Sequence, residues 1–200
     1  MSPQFSTLTK NANKELVMAE TTSNAEKDTN AKLSFEYGGQ TYKAVKIGTQ
    51  IWMAENLNYE AEGSKFYENN PDNGAKYGRL YTWETAMKVC PKGWHLPTGE
   101  EWNKLLCFVG DDTKYLKAVS GWKPWNGIEY LDPYGFSAQP GGYGSLNGSF
   151  FDIGNCGYWC IANKYGGYFA LRWSSTFYYG IAGQDNLTKS SLFSIRCVQD

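Results

Sequence analysis

The sequence predicts an α+β domain, with two helices flanking a small, twisted, mostly antiparallel sheet and long loops between the elements. Eight Trp, fifteen Tyr and ten Phe stand beside twenty-two Gly in 200 residues. Aromatic residues favour strands and glycines favour tight turns. Two amphipathic segments follow the first strand-like runs, and more strand-like runs follow those segments. This order is typical of the α+β class.

The N-terminal segment differs from the rest of the chain. Residues 1–34 are rich in Thr, Asn, Ala, Lys and Glu and contain one aromatic side chain, Phe5. Such a segment buries too little apolar surface to fold alone. We expect a flexible leader or linker at 1–34 and one domain at 35–200.

A hairpin and two helices begin the predicted domain. Residues 41–47 alternate polar and apolar side chains, and Gly48 begins a turn into a second strand at 51–55. The first helix is predicted near residues 82–89. The second begins at Thr98, an N-cap whose capping-box partner is the glutamate three residues later. Its apolar face repeats at helical spacing through Trp102, Leu105, Leu106 and Val109.

The second half of the chain predicts one long loop region and several short strands. Residues 120–167 are Gly-rich and are predicted to form loops, with a short strand at 136–139. Three strand-like runs follow, at 168–174, 176–181 and 192–198. Together with the hairpin, these runs predict one small sheet.

Composition excludes several classes of partner. A formal net charge of −1 gives no clustered excess of Lys or Arg, so neither nucleic acid nor an anionic membrane is an expected partner. No apolar run approaches the roughly 18 residues that span a bilayer, so membrane insertion is not expected. The first residues, Met1 to Phe5, also lack the apolar core of a secretory signal. The sequence leaves the oligomeric state open.

Five cysteines are an odd number, which predicts one or two disulfides and at least one free thiol. They are Cys90, Cys107, Cys156, Cys160 and Cys197. Their spacing is unlike that of a zinc ribbon. Disulfides would indicate an oxidising compartment.

Five ordered motifs indicate a family. They are IGTQIWMAENL at 47–57, GRLYTW at 78–83, CPKGWHLPT at 90–98, GFSA at 135–138 and FSIRCV at 193–198. Together they resemble the Fibrobacter succinogenes major paralogous domain. Most of that family has no assigned biochemical activity.

The resemblance implies a C-type-lectin-like fold in a bacterial protein that is secreted or attached to the cell surface. It also implies a disulfide between Cys90 and Cys197, because members of that fold tie the first helical region to the last strand. The chain departs from the family at Trp159-Cys160-Ile161, where Trp-Trp-Ser is usual. Cys160 either pairs with Cys156 or stays free, and the state of Cys107 is open.

The sequence gives little support for a catalytic site. His95 is the sole histidine and lies just before a helix cap, so we expect a buried structural imidazole and no protease triad. Asp132, Asp152 and Asp185 could supply the two carboxylates of a glycoside hydrolase. Acids in loops more often form turns, so we expect no enzyme.

The resemblance also raises two kinds of chemistry known in the wider fold. Formylglycine-generating enzymes use two nearby cysteines, but no basic residue flanks Cys156 or Cys160 to lower a thiol pKa. Calcium-dependent lectins carry a triplet that Gln139-Pro140-Gly141 matches only in part, without the third oxygen ligand. We expect no cofactor; a structural calcium held by backbone carbonyls stays open, though no motif supports it.

Aromatic and polar residues along the Gly-rich segments are the candidate ligand contacts. Tyr and Trp rings stack on sugars or anchor protein interfaces. By analogy with the wider fold, recognition is expected just before the last strand. The candidates are Trp122, Trp125, Tyr143, Tyr165, Tyr168, Trp173, Tyr178, Tyr179, Gln184, Asp185 and Asn186.

These observations predict a non-catalytic, extracellular or cell-surface recognition domain that binds a glycan or a protein through its long loops. One alternative is an enzyme on the same scaffold, a formylglycine-generating-like thiol oxidase or a glycan hydrolase. Another is a structural surface appendage displayed by the leader.

Overall fold

The described residues form two sheets with short helices between them. The structure is a computed structural model that describes residues 33–124, 127, 129–165, 169–176, 182–188 and 191–200. For 164, 165, 169–173, 176 and 182–188 it describes the backbone alone. The architecture is α+β, as the sequence predicts, but it contains two sheets where one was predicted.

The first sheet has the strand order β1-β2-β3-β11-β4. The hairpin predicted at 41–55 is confirmed as β2 and β3, which pair antiparallel with Val45 opposite Trp52. The short β11 lies between β3 and β4, because Val198 pairs with both Trp52 and His95. The strands are β1 (Leu33–Tyr37), β2 (Gln40–Ile47), β3 (Gln50–Met53), β4 (Trp94–His95) and β11 (Val198–Gln199).

Both predicted helices are present, together with a one-turn helix that was not predicted. The short α1 spans Gly74–Tyr77, α2 spans Trp83–Val89 and α3 spans Gly99–Phe108. The capping box of α3 is confirmed: the Glu101 N–H donates to Thr98 Oγ1, and the Glu101 carboxylate accepts from the Thr98 N–H at 2.7 Å. Single 3-10 turns lie at Tyr67–Asn69, Pro71–Asn73 and Thr113–Tyr115.

The second sheet overturns the prediction of long loops at 120–167. Its strand order is β10-β5-β7-β8-β9, and β6 pairs with β5. Three of its strands lie within the predicted loop region, whereas residues 136–139 form only an isolated bridge between Lys117 and Ala138. The strands are β5 (Gly141–Ser145), β6 (Phe150–Ile153), β7 (Cys156–Tyr165), β8 (Phe169–Thr176), β9 (Ala182–Thr188) and β10 (Ser191–Leu192).

The glycines that suggested loops allow strands to pack closely. Gly142 has φ +63°, and a Cβ there would lie 2.2 Å from the Phe151 carbonyl oxygen. A Cβ on Gly157 would lie 2.2 Å from the Trp159 ring. Only glycine tolerates approaches this close. These residues therefore permit β5 to pair with β6 and with β7.

The predicted strands near the C-terminus are corrected in part. The run at 168–174 corresponds to β8. The run predicted at 176–181 is wrong at its start, because Thr176 ends β8, and residues 177–181 lie outside the described residues. The run at 192–198 contains only the end of β10 and the start of β11. Between them, Phe193 and Ser194 make isolated bridges to Tyr81 and Trp159.

The Cys90–Cys197 disulfide that the resemblance implied is present and closes a separation of 107 residues. Cys90 directly follows α2, and Cys197 directly precedes β11. Cys107 and Cys160 are free cysteines, so the alternative bridge from Cys156 to Cys160 is not formed.

Tryptophans fill the middle of the core. Trp52, Trp102 and Trp159 are fully buried, with ring centroids 4.7 Å apart for the first pair and 5.9 Å for Trp102 and Trp159. Trp83 is also buried and donates its indole N–H to the Ile161 carbonyl at 3.0 Å. Trp94 is only half-buried and stacks on Phe35, with ring centroids 4.4 Å apart.

Candidate functional site

Most of the predicted ligand residues have no described side chain. Trp125, Tyr168, Tyr178 and Tyr179 lie outside the described residues. Tyr165 lies in β7, Trp173 in β8, and Gln184, Asp185 and Asn186 in β9, each described by its backbone alone. The last three were expected in a loop between strands. They lie instead within an antiparallel strand that places Gln184 opposite Trp173.

Two predicted ligand residues have described side chains. Trp122 is 7% exposed, donates its indole N–H to the Ala138 carbonyl at 2.9 Å, and lies 4.8 Å from the Lys117 ammonium. This position leaves little of the ring to a ligand. Tyr143 is half-buried and stacks on the exposed Phe151, with ring centroids 5.1 Å apart.

A concavity with a volume of about 580 Å³ lies elsewhere in the domain. We call it the polar groove. Its lining comes from four segments: 40–43 in β2, 54–58 after β3, 74–78 around α1, and 135–139 before β5. Most of the side chains in this lining are amides, hydroxyls and charged groups. Such a surface suits a ligand that forms many hydrogen bonds.

Asn56 holds the walls of the polar groove together. Its Oδ1 accepts from the Trp159 indole N–H at 2.9 Å and from Arg196 Nε at 3.0 Å. Its Nδ2 donates to the Tyr77 carbonyl at 2.9 Å and contacts Ser194 Oγ at 3.3 Å. One buried amide thus links the segment after β3 to α1, β7 and the chain before β11.

Arg196 fixes the wall at 135–139. Its guanidinium is fully buried and donates to the carbonyls of Met53, Phe136 and Ser137. Burial lowers the pKa of Arg196 to about 9, although the nearby Asp132 opposes this shift. The carbonyl bonds hold Ser137 against the groove and make the wall rigid.

Two groove residues carry buried oxygens without donors. Asn58 Oδ1 and Gln139 Oε1 accept no hydrogen bond from any residue that the structure describes. Asn58 is held by its backbone, whose N–H donates to Tyr42 Oη at 3.1 Å and whose carbonyl accepts from Gln40 Nε2 at 3.3 Å. A buried oxygen without a donor costs about 1–3 kcal/mol, so each such atom calls for an explanation.

The two lysines that line the polar groove differ in their ion pairing. Glu55 accepts the Lys43 backbone N–H at 3.0 Å and lies 3.8 Å from the Lys43 ammonium. Lys76 on α1 is exposed, and its ammonium lies 4.9 Å from the neighbouring Tyr77 ring. Among the described residues Lys76 has no carboxylate within ion-pair distance.

The other sequence candidates lie apart from the groove or serve the scaffold. Asp132 accepts from the Ser137 backbone N–H at 3.0 Å, and Asp152 accepts from the Tyr158 hydroxyl at 2.9 Å. Burial raises the pKa of the Asp132 carboxyl. Asp185 has no described side chain. The described acids therefore support turns and strand packing.

His95 is not the buried imidazole that the sequence predicted. Its side chain is 40% exposed and stands between two carboxylates, with Nδ1 2.7 Å from Asp200 and Nε2 2.8 Å from Glu101. Burial alone would lower the pKa of His95, but the hydrogen bonds to Asp200 and Glu101 outweigh it and raise the pKa. The ring joins the start of α3 to Asp200, the residue after β11.

The Cys160 thiol shows no sign of activation. Burial raises the pKa of this thiol to about 12, and the side chain is fully buried. A thiol in this state is protonated at neutral pH and is a poor nucleophile. The residues that the structure describes also include no cluster of three or more His, Cys, Asp or Glu side chains that could hold a metal ion.

No pattern in the sequence indicated the polar groove. Its four wall segments are separated by ten residues or more, and Asn58 and Gln139 lie about eighty positions apart in the chain. In the sequence, Gln139 stands out only as part of an incomplete calcium triplet. The unsatisfied state of an oxygen depends on its neighbours in three dimensions, so no sequence pattern could have shown it.

Comparison with known proteins gives one match. Residues 45–199 match the family model described as the Fibrobacter succinogenes major domain. No curated protein and no solved structure is significantly similar to the chain. Among the described residues, the helices are too short and too polar for any of them to cross a membrane.

Proposed function

Because the chain belongs to the Fibrobacter succinogenes major domain family, we propose that it is a non-catalytic recognition domain, secreted or held at a cell surface, that binds a glycan in the polar groove. The observation that carries this proposal is the pair of buried acceptors, Asn58 Oδ1 and Gln139 Oε1. Sugar hydroxyls are donors of the kind that these oxygens lack. A ligand that supplied them would recover the cost of burial.

The composition of the groove supports binding over hydrolysis. Glycoside hydrolases use two carboxyl groups across the scissile bond. Among the residues that line the groove, Glu55 is the only acid, and it is engaged by Lys43. The groove therefore offers hydrogen bonds and one unpaired cation, but not the pair of acids that glycan hydrolysis requires.

We also propose that the fold is C-type-lectin-like. Two features support this proposal. One is the disulfide that joins the end of α2 to the start of β11. The other is the position of α2 and α3 in the chain, after the hairpin of β2 and β3 and before the second sheet. An experimental structure compared with lectins of that class would test the proposal, and a different strand connectivity would contradict it.

The proposed binding site predicts variants that lose glycan affinity without losing stability. Replacing Gln139 by Met, or Asn58 by Leu, removes an unsatisfied oxygen and keeps most of the side-chain volume. We expect the free energy of unfolding to hold or rise, because a buried unsatisfied acceptor is lost. Glycan affinity should fall about tenfold or more, since one hydrogen bond to the ligand is lost.

The experiment screens the wild-type domain on an array of plant and bacterial cell-wall polysaccharides and then measures affinities by calorimetry. Asn103→Leu, on the exposed side of α3 and outside the groove, is the matched control and should bind like wild type. Absence of binding to every glycan would contradict the proposal. Variants that lose stability together with binding would assign Asn58 and Gln139 to the scaffold instead.

A further inference from the structure

The strongest unexplained feature of the polar groove is the corner formed by Lys76, Gln139 and Gly121. A Cβ on Gly121 would lie 3.2 Å from Gln139 Oε1, 3.2 Å from Lys76 Cε and 3.3 Å from Lys76 Nζ. The unsatisfied oxygen and the ammonium therefore both lie against the same glycine. Glycine at position 121, with φ +99°, allows both side chains to approach the backbone this closely.

The ammonium and the amide oxygen do not satisfy each other. Gln139 Oε1 has no hydrogen-bond donor among the described residues, so the Lys76 ammonium does not reach it. Lys76 also lacks a carboxylate partner within the described part of the chain. A donor and an acceptor side by side, neither with a hydrogen-bond or ion-pair partner among the described residues, match a ligand that carries an anionic oxygen next to a hydroxyl.

The other charges of the groove do not compensate Lys76. Of the charged side chains that line the groove, two are lysines and one is a glutamate, and that glutamate pairs with Lys43. A second cation lies near the corner: the position of a Cβ on Gly154 would be 3.8 Å from both the Gly121 carbonyl oxygen and Lys123 Cγ. Lys76, which pairs with no described carboxylate, therefore favours an anion at the corner.

We propose that the ligand of the polar groove is an acidic glycan, with the carboxylate of a uronic acid paired to Lys76 and a neighbouring hydroxyl that donates to Gln139 Oε1. This inference rests on the function proposed above and specifies its ligand class. A hexuronate presents its carboxylate and ring hydroxyls on one sugar unit. A neutral hexose would satisfy Gln139 and leave the ammonium without a partner.

The test compares acidic glycans with their own methyl esters, which keep the sugar backbone and remove the charge. The probes are oligomers of galacturonate, glucuronate and mannuronate, each with its methyl ester, and neutral oligomers of galactose, glucose and mannose. Calorimetry at low and at roughly tenfold higher NaCl concentration measures affinity. At least one acid should bind about tenfold more tightly than its ester, and the higher salt should weaken that preference.

Two lysine variants form a matched pair. Lys76→Gln should weaken binding of the acid about tenfold and leave binding of the ester within about twofold, because the charge-assisted bond is lost. Lys104→Gln removes an exposed cation of α3 that lies outside the groove, and should change binding of the acid by less than about threefold. Gln139→Met should weaken both the acid and the ester.

The possible outcomes bear on different parts of the proposal. Equal affinity for an acid and its ester, or binding of neutral oligomers alone, overturns the acidic ligand and leaves glycan recognition standing. Binding of an acid that is unaffected by Lys76→Gln overturns the assignment of its carboxylate to this corner. No binding of any probe, with the array above also blank, overturns the proposed function and this inference together.

Discussion

Breaking the Cys90–Cys197 bond should cost the domain a large part of its stability. The bond closes a loop of 107 residues. In the chain-entropy model, opening a loop of that length releases about 16 cal/mol/K to the unfolded chain, which is about 4.8 kcal/mol at 25 °C. A domain of this size typically has about 5–15 kcal/mol of stability, so the loss is a third or more of the total.

The perturbation is made in two ways, by reduction of the wild-type domain and by the double variant Cys90→Ala, Cys197→Ala. Urea unfolding followed by tryptophan fluorescence gives the free energies. Thermal unfolding should show a midpoint lower by about 10–19 °C, using roughly 2–4 °C per kcal/mol for a domain of 150–250 residues. Cys107→Ala, at an exposed free thiol, is the control and should change stability by less than about 0.5 kcal/mol.

A loss below about 1.5 kcal/mol in both forms would refute this reasoning, because the entropy term for a loop of this length is about three times larger. It would mean that the unfolded chain keeps these ends close without the bond. A large loss in the double variant with none on reduction would instead point to the cavities left by the two alanines.

Three further predictions test the scaffold. Asn56→Ala removes the acceptor of the Trp159 indole N–H and of Arg196 Nε–H, and the donor to the Tyr77 carbonyl, and at roughly 1–3 kcal/mol for each of these three groups it should cost about 3 kcal/mol or more in urea unfolding. Asn58→Ala, whose Oδ1 accepts nothing from the described residues, should cost less than about 1 kcal/mol on the same scale, and equal losses would contradict the role given to Asn56. Gly142→Ala places a Cβ against the Phe151 carbonyl oxygen, whereas a Cβ at Gly148, which also has a positive φ, meets no atom within 4 Å. By calorimetry, the Gly142→Ala variant should be less stable than the Gly148→Ala variant by at least about 2 kcal/mol. Similar losses in the two variants would show that backbone strain alone accounts for both. The pKa of His95 is raised in the folded state, so its protonated ring stabilises the fold fully below about pH 6.5, the pKa of an unfolded histidine, and this contribution is lost as pH rises through the folded pKa. Unfolding free energies measured from about pH 6 to pH 9 should therefore fall more steeply in wild type than in His95→Gln. Parallel curves would contradict the ion pairs of His95 with Asp200 and Glu101.

Local signals in the sequence predicted the elements whose stability is local. The capping box at Thr98 and Glu101 satisfies backbone groups within one turn, so it is recognisable from residues three apart. The hairpin of β2 and β3 needs only an alternating pattern and a glycine turn. The disulfide was predicted from the family resemblance, since its partners lie too far apart for local reasoning.

The second sheet was not predicted because glycine serves two structural roles, as a turn residue and as a site of close packing. Gly142 and Gly157 resemble turn residues, but each is a site of close packing within paired strands. A sequence cannot distinguish a glycine required by its own φ from one required by a neighbour's approach. The groove was missed for a related reason: its unsatisfied oxygens are a property of contacts among distant segments.

The position of β11 determines when the first sheet can be completed during synthesis of the chain. This two-residue strand lies between β3 and β4, pairing Val198 with Trp52 across almost the whole domain sequence. The first sheet therefore cannot be completed until the segment around Val198 has left the ribosome, however early β1, β2 and β3 emerge. Contacts so distant in sequence slow folding, because loop closure precedes any gain from pairing. The incomplete chain would expose the open edges of β3 and β4, so we expect newly made protein to depend on chaperones until its last strand arrives.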